Sequence, residues 1–303
     1  MTTSVLITGA TGVIGTRLTQ MLLQKGYRVA HLGRSMRNGV IPSFVWDISK
    51  QYIDPQALAG VHVIVHLAGA GVADQRWTPQ RKKEIRDSRV ESTELLYQSL
   101  KTIPNEVHTV VGASAIGYYG FSLTNDLLNE ESMPGKDFLS TVVVDWEQKL
   151  DHLATLKKRL AKIRIGIVLS EKGGALAEMS RPVRLGVGAP LGTGKQMVSW
   201  IHIDDLCRLF IKAIEDPNMQ GAYNGVAPQA VTNAALTKAI ARTLHRPMWL
   251  PPIPGFVLHL LIGEMADLIV QGSNISAART LQSGFQFGFT DINEAVDDLL
   301  SHH

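Results

Sequence analysis

One cysteine, Cys207, serves the whole 303-residue chain, so no internal disulfide can form and no thiolate cluster can hold a metal. Such sparing use of cysteine fits a reducing compartment, and a cytoplasmic location is expected. No apolar run approaches the roughly 20 residues that a membrane span needs. The nearest, about 256–270, is broken by Gly263, Glu264 and Asp267. No basic segment followed by an apolar one opens the chain, because Met1 to Ser4 lead straight into a strand-like run. Charge of one sign is scarce too: the formal net charge is +3 and the basic residues are scattered. The densest run, Arg81, Lys82, Lys83 and Arg86, reads as a solvated helix face, so no nucleic-acid partner is expected. Metal-ligand spacing is missing as well, apart from one grouping near His202, and no metal site is expected.

What the chain has is alternation. Strand-like runs at 5–8, 27–32, 44–46 and 61–67 are separated by helical or turn signals. An amphipathic helix over about 79–101, a strand at 107–113, a helix at 137–156 and a strand at 163–169 continue the pattern. Short apolar strands divided by helices predict a parallel sheet covered on both faces, an α/β fold of the Rossmann, doubly wound type. Gly and Pro then crowd 173–194 and interrupt any sustained period, which predicts an excursion from the sheet. The expected organisation is a nucleotide domain over 1–168, rejoined by 201–226, and a smaller C-terminal substrate lobe made of 169–200 and 227–303. Neither an internal repeat nor a low-complexity tract is present, and His302 and His303 carry no functional weight.

The strongest motif is Thr8-Gly9-Ala-Thr11-Gly12-Val13-Ile14-Gly15, lying between a predicted strand and a predicted helix. That context is what the dinucleotide-binding fingerprint requires. Gly9 suits a tight turn, Gly12 lets backbone amides approach a diphosphate, and Gly15 permits close helix-to-sheet packing, with the helix N-terminus adding partial positive charge. The ribose-reading position is expected about 20 residues beyond the loop. Gly33 and Arg34 fall there, and no Asp or Glu occurs between Val29 and Arg37. A guanidinium can pair with a 2′-phosphate where a carboxylate would bind a free 2′-hydroxyl, so NADP(H) is the expected cofactor. The plain alternative is a surface arginine. Asp47 follows the third strand and is a candidate for the adenine amino group, or else a turn cap. Leu67, Ala68 and Gly69 follow the fourth, where small residues let backbone lie against the cofactor. Val168 is a further cofactor-contact candidate.

With these residues in hand, the chain resembles the extended short-chain dehydrogenase/reductase (NAD-dependent epimerase/dehydratase) superfamily. It resembles most the epimerase-family branch, also called nucleoside-diphosphate-sugar-epimerase-like. The features are Arg76-Trp77, Asp87-Ser88-Arg89, Gly117-Tyr-Tyr-Gly120, Pro182-Val-Arg-Leu-Gly-Val-Gly188, Trp200-Ile-His-Ile-Asp-Asp205 and Ser283-Gly-Phe285. They span nearly the whole chain. The resemblance implies a catalytic Ser or Thr after the fifth strand, matched by Ser114, and a Tyr-x-x-x-Lys pair on the next helix. That pair is absent: Leu139 and Val143 stand in its places, and neither moves a proton. Arg89 stands where superfamily members often carry Asn. Ile85, Arg89, Ser92 and Leu96 share one helix face, so Arg89 is expected to point inward, toward the cofactor or substrate, with Glu84 one turn earlier. An internal salt bridge or a snorkelling side chain is the alternative.

For reducing a carbonyl, Ser114 is the expected hydrogen-bond donor and Tyr119 the candidate acid, with Tyr118 and His202 as further candidates. A tyrosine packed on the cofactor, and a structural His202 beside a helix-capping Asp204, explain the same residues. Arg181, Arg184 and Lys195 could grip an anionic substrate such as a sugar nucleotide. Gly192 to Gln196 is no P-loop, and Ser114, between Ala113 and Ala115, is no nucleophile elbow. Two functions are consistent with these residues: an NADP(H)-dependent oxidoreductase or epimerase acting on a small molecule, or an NADPH-binding regulator without chemistry, since some members of the branch are labelled cell-division inhibitors. A homodimer joined through the long helix is the expectation by analogy.

Overall fold

The structure, a computed structural model, describes residues 2–120 and 126–301; His302 and His303 lie outside them. The first half of the chain runs β1 (Ser4–Thr8), α1 (Val13–Gln24), β2 (Arg28–Gly33), β3 (Ser43–Asp47), β4 (Tyr52–Ile53), β5 (Val63–His66), α2 (Pro79–Thr102), β6 (Thr109–Ala115), β7 (Leu127–Leu128) and α3 (Phe138–Ala154). The second runs β8 (Arg159–Ile165), β9 (Ile167–Leu169), α4 (Ala175–Arg184), β10 (Met197–Val198), β11 (Trp200–His202), α5 (Ile203–Glu215), β12 (Gly221–Gly225), β13 (Val231–Thr232) and α6 (Asn233–Thr243). It ends with α7 (Gly255–Ile262), α8 (Asp267–Val270), β14 (Asn274–Ile275), α9 (Ala278–Gln282) and α10 (Ile292–Leu300).

Eight strands form one sheet in the order β12-β8-β6-β5-β1-β2-β3-β4, parallel except for the short edge strand β4. This is the expected Rossmann-type sheet. Its connections reverse between β1 and β5, and a crevice opens at that switch point. Register decides which face each residue takes. Lys162 and Arg164 of β8 point toward α3, where Glu147 meets them, while Ile163 between them points toward Leu206 of α5. Helices therefore cover both faces. One apolar core extends from Val5, Leu6, Ile7 and Val65 through Leu150 and Phe210 to Leu176, Ile240 and Val296 on α4, α6 and α10.

Three elements depart from the sequence reading. The strand expected at 163–169 begins at Arg159, and Gly166 divides it, because a side chain there would press on the Ser199 carbonyl. Three basic residues had masked its start. Each is satisfied in the fold: Lys162 and Arg164 by Glu147, and Arg159 by the Ala213 and Ile214 carbonyls at the end of α5. The Gly- and Pro-rich stretch contains a helix, α4, with Pro182 inside it and Leu176 and Val183 buried. The apolar run at 256–270 folds as two helical pieces, α7 ending at Gly263 with φ of 64° and α8 following a 3-10 turn.

Candidate cofactor crevice and buried polar network

Thr8 closes β1, and the chain then turns over Gly9 into α1. The Gly9 φ of 66° favours glycine, and a Cβ there would lie 2.7 Å from the Leu67 carbonyl oxygen at the end of β5. A Cβ on Gly15 would fall 2.5 Å from the Gly9 oxygen. Gly12 differs, since its Cβ would meet only that same oxygen, at 3.4 Å. The protein's own packing does not demand glycine at position 12, so the open space there is free for a ligand. Gly12 also N-caps α1 without a side-chain cap, leaving the helix amides to an outside acceptor. Val13, Ile14, Leu67 and Val168 complete the walls, and Gly173 and Gly174 close the far side of a cavity of about 210 Å³. Most of the expected loop residues and Val168 are thus brought together. Thr11 is exposed on the same turn.

The remaining cofactor candidates scatter along the sheet edge. Gly33 ends β2, and Arg34 is exposed just beyond it, with no hydrogen bond or ion pair to a described residue. The Asp47 carboxylate caps the turn after β3, accepting from Ser49 N at 3.0 Å, Ser49 Oγ at 2.6 Å and Lys50 N at 3.2 Å. The Ser49 hydroxyl in particular holds its pKa below the ordinary value. Its turn-capping alternative is the one realised. Glu84 is corrected: it is exposed and pairs with Arg81 Nη1 at 2.6 Å, outside the crevice. Arg81 Nη2 in turn donates to the Gly71 carbonyl at 2.5 Å and fastens the loop after β5. Ala70 of that loop donates its N–H to Ser88 Oγ at 3.0 Å. Arg89 does point inward, beneath Gly69, and donates through Nη1 to the Ala70 and Ile85 carbonyls at 3.0 and 2.9 Å. No internal salt bridge holds it among the described residues.

The candidate catalytic hydroxyls of Ser114 and Tyr119 are engaged by the protein itself. Ser114 Oγ donates to Glu147 Oε1 at 2.5 Å, and Glu147 also receives Arg164 Nε at 2.8 Å and Nη2 at 3.0 Å, with Lys162 Nζ 3.2 Å away. Tyr119 donates to Asn224 Oδ1 at 2.7 Å and accepts from Arg164 Nη1 at 3.0 Å. All four partners, Glu147, Arg164, Lys162 and Asn224, are buried, as are both hydroxyls. Burial pushes the Tyr119 hydroxyl up to about 12. Burial would also raise Glu147, but the Arg164 hydrogen bonds and the Lys162 charge outweigh it and hold the carboxyl below its usual range. Neither Ser114 nor Tyr119 has its proton free for a ligand. Leu139 and Val143 are packed toward the turn at Gly117, where an added Cβ would touch each at 3.7 Å.

His202 is corrected as well. It is the N-cap of α5, its Nδ1 accepting from Asp204 N at 3.1 Å, so the cap is the histidine and not Asp204. Its ring stacks on Phe289 at 3.8 Å, and burial lowers its pKa. Asp204 instead takes a two-pronged ion pair from Arg17 of α1, at 2.6 and 2.7 Å. Arg181 pairs with Glu178, and Arg184 lines a separate cavity with His245 and Arg246. Both stand at the far end of α4, about 15 Å of helix from Gly174 for Arg184. Sequence reasoning missed a buried relay: Thr8 Oγ1 accepts from Leu67 N at 3.0 Å and Ala68 N at 3.1 Å, and contacts His66 Nδ1 at 2.8 Å. His66 Nε2 reaches Thr93 of α2 at 3.1 Å. This clamps the two strand ends that frame the crevice. A threonine before the glycines and a histidine ending an apolar strand were the available signals.

Comparison with known proteins agrees with this geometry. Residues 5–138 match the NAD dependent epimerase/dehydratase family, and 253–299 match a domain of unknown function, DUF1731. The chloroplastic SDR39U1 homolog of Arabidopsis thaliana, an epimerase family protein, is 36% identical over 300 residues, covering 97% of this chain and 85% of its own. The crystal structure of human epimerase family protein SDR39U1 (isoform 2) with NADPH gives a TM-score of 0.88 at 32% identity, covering 99% of this chain and 100% of that one. A nucleoside-diphosphate sugar epimerase from Corynebacterium glutamicum gives 0.81 at 31% identity, covering 100% of this chain and 59% of that one. Among the described residues, no helix is long and apolar enough to cross a membrane, and no group of His, Cys, Asp and Glu could hold a metal. A glycine-cradled crevice at the switch point, and relatives of this identity over nearly the full length, place the chain in the epimerase family, a branch of the NAD dependent epimerase/dehydratase family.

Proposed function

We propose that this protein binds NADPH across the β1/β5 switch point and uses it as an epimerase-type oxidoreductase on a small anionic molecule or sugar nucleotide. The observation that carries the reading is Gly12: the fold does not need a glycine there, whereas a diphosphate lying on the α1 amides does. Gly9, Val13, Ile14, Gly15, Leu67 and Val168 would flank that diphosphate, and Ala68 and Gly69 would continue the path. Gly33 and Arg34 would receive the 2′-phosphate, because no carboxylate competes for that guanidinium. The human relative crystallised with NADPH supports this choice over NADH. When bound, the nicotinamide supplies hydride transfer. The chain's part is to orient it and keep water from it with apolar walls.

A second reading, an NADPH-binding regulator without turnover, is favoured by one observation. The Ser114 and Tyr119 protons are committed to Glu147 and Asn224, and Leu139 and Val143 cannot supply another. Steady consumption of NADPH with a carbonyl compound, or interconversion of the epimers of a nucleotide sugar without net change in the cofactor, supports the enzyme. NADPH binding with neither cofactor consumption nor interconversion of epimers across a panel of such compounds supports the regulator. No binding of NADPH at all overturns both.

A further inference from the structure

Several arginines in this protein pair with acids. Arg17 has Asp204, Arg81 has Glu84 and Asp74, Arg86 has Asp145, Arg164 has Glu147, and Arg208 has Asp205. Arg89 is different. It projects from the inward face of α2, and its guanidinium carbon would lie 3.1 Å from a Cβ on Gly69. It faces the Trp146 ring of α3 at 5.3 Å. Nη1 satisfies two carbonyl oxygens, and neither Nε nor Nη2 has an acceptor among the described residues. The charge that acts on it is another cation: burial first, and then Arg81, lower the Arg89 pKa to about 10. A half-buried guanidinium beside a like charge favours an anion at its open donors.

We infer that Arg89 is an anion receptor at the nicotinamide end of the crevice, built to hold a phosphate or carboxylate group. This rests on reading the crevice as an NADPH site. The strand order fixes the end. Arg34 lies past β2, on the side of the switch point where the adenine half belongs, whereas Arg89 lies under the loop leaving β5, on the side of β6 and α3. The 2′-phosphate therefore cannot be its partner. The anion belongs either to the phosphate on the nicotinamide side of the cofactor or to the substrate beside it. Gly69 keeps the approach open, since any side chain at that position would press on the guanidinium. A purely structural role, pinning Ala70 to α2, uses Nη1 alone, and Nε and Nη2 stay open to a ligand.

The test is calorimetry on the full chain with NADPH and with 2′,5′-ADP, which carries the 2′-phosphate but no nicotinamide half, using wild type, Arg89→Met and Arg89→Lys. Inorganic phosphate is then titrated into each NADPH complex. If the cofactor supplies the anion, Arg89→Met weakens NADPH by roughly 10- to 100-fold while 2′,5′-ADP is unchanged. If the substrate supplies it, NADPH binds the variant normally but phosphate binding to the complex is lost. Arg89→Lys retains part of either effect. Should Arg89→Met fail to fold, Gly69→Ala, which displaces the guanidinium without removing its charge, gives the same readout. Variants that bind NADPH and phosphate as wild type does, or a wild-type complex without phosphate affinity and an NADPH affinity indifferent to Arg89, overturn the inference. Failure of wild type to bind 2′,5′-ADP would instead overturn the crevice reading on which it rests.

Discussion

Glu147 accepts one hydroxyl and neutralises two buried cations, and no property of residue 147 alone announces this. Its partners come from β6 and β8, which only the folded sheet brings beside α3. Removing one member of a buried ionic group leaves the others desolvated and unpaired, which costs more than the group contributes when intact. Glu147→Gln is therefore expected to lose about 3–5 kcal/mol of stability in urea unfolding, whereas Ser114→Ala, which deletes a single neutral donor, loses about 1 kcal/mol. Equal, small losses would remove the network from the account. His66 makes a pH-dependent contribution of known sign. Burial lowers its pKa from 6.5 to about 4, so the unfolded chain takes up a proton that the folded one refuses. The stabilisation is complete above pH 6.5 and is lost as pH falls toward 4, by about 3 kcal/mol for a shift of that size. Denaturant titrations at pH 7 and pH 4.5 check it: His66→Gln is expected to lose less stability across this interval than wild type.

Elements were legible where one period governed them. The glycine loop, the apolar strands at β1, β5 and β6, and the long helix α2 follow from spacing. β8 was half hidden because its charged residues are paid for by partners distant in sequence, and α4 because Pro182 and flanking glycines argue locally against a helix that Leu176 and Val183 anchor by burial. His202 was legible as a titratable group but not as a cap, since capping depends on a backbone turn that its Asp neighbours seemed to explain. The site divides the same way: the crevice could be read from the sequence, the fates of Ser114, Tyr119 and Glu84 could not. The loop itself yields a direct test. Gly12 has φ of −72° and room for a methyl group, so Gly12→Ala is expected to change stability by less than about 0.5 kcal/mol. Its NADPH affinity, read by nicotinamide fluorescence, is expected to fall at least about tenfold, because the methyl takes space meant for the diphosphate. Unchanged affinity would mean that the diphosphate lies elsewhere.

Across the whole molecule, the C-terminal segment is tied to the nucleotide-binding sheet by a few buried groups. Asp205, fully buried on α5, accepts from Gly288 N and Phe289 N at 2.9 Å each and pairs with Arg208, while Phe289 stacks on His202. Asp205→Ala strips those amides of their acceptor. Hydrogen exchange is expected to accelerate over 285–300 by roughly 30-fold or more, equivalent to about 2 kcal/mol, and to stay slow in β1 and β5. Uniform acceleration would instead mean that the segment and the sheet open together. The two ends of the crevice meet the same whole-molecule logic, with α1 held to α5 through Arg17 and Asp204 while Arg34, at the outer edge, has no ion-pair partner among the described residues. Calorimetry of NADPH and NADH with wild type and Arg34→Ala tests that arrangement most directly. The account expects wild type to favour NADPH by roughly 10- to 100-fold and Arg34→Ala to lose that margin while holding NADH as before; tighter binding of NADH by wild type, or a preference that survives in Arg34→Ala, would contradict it.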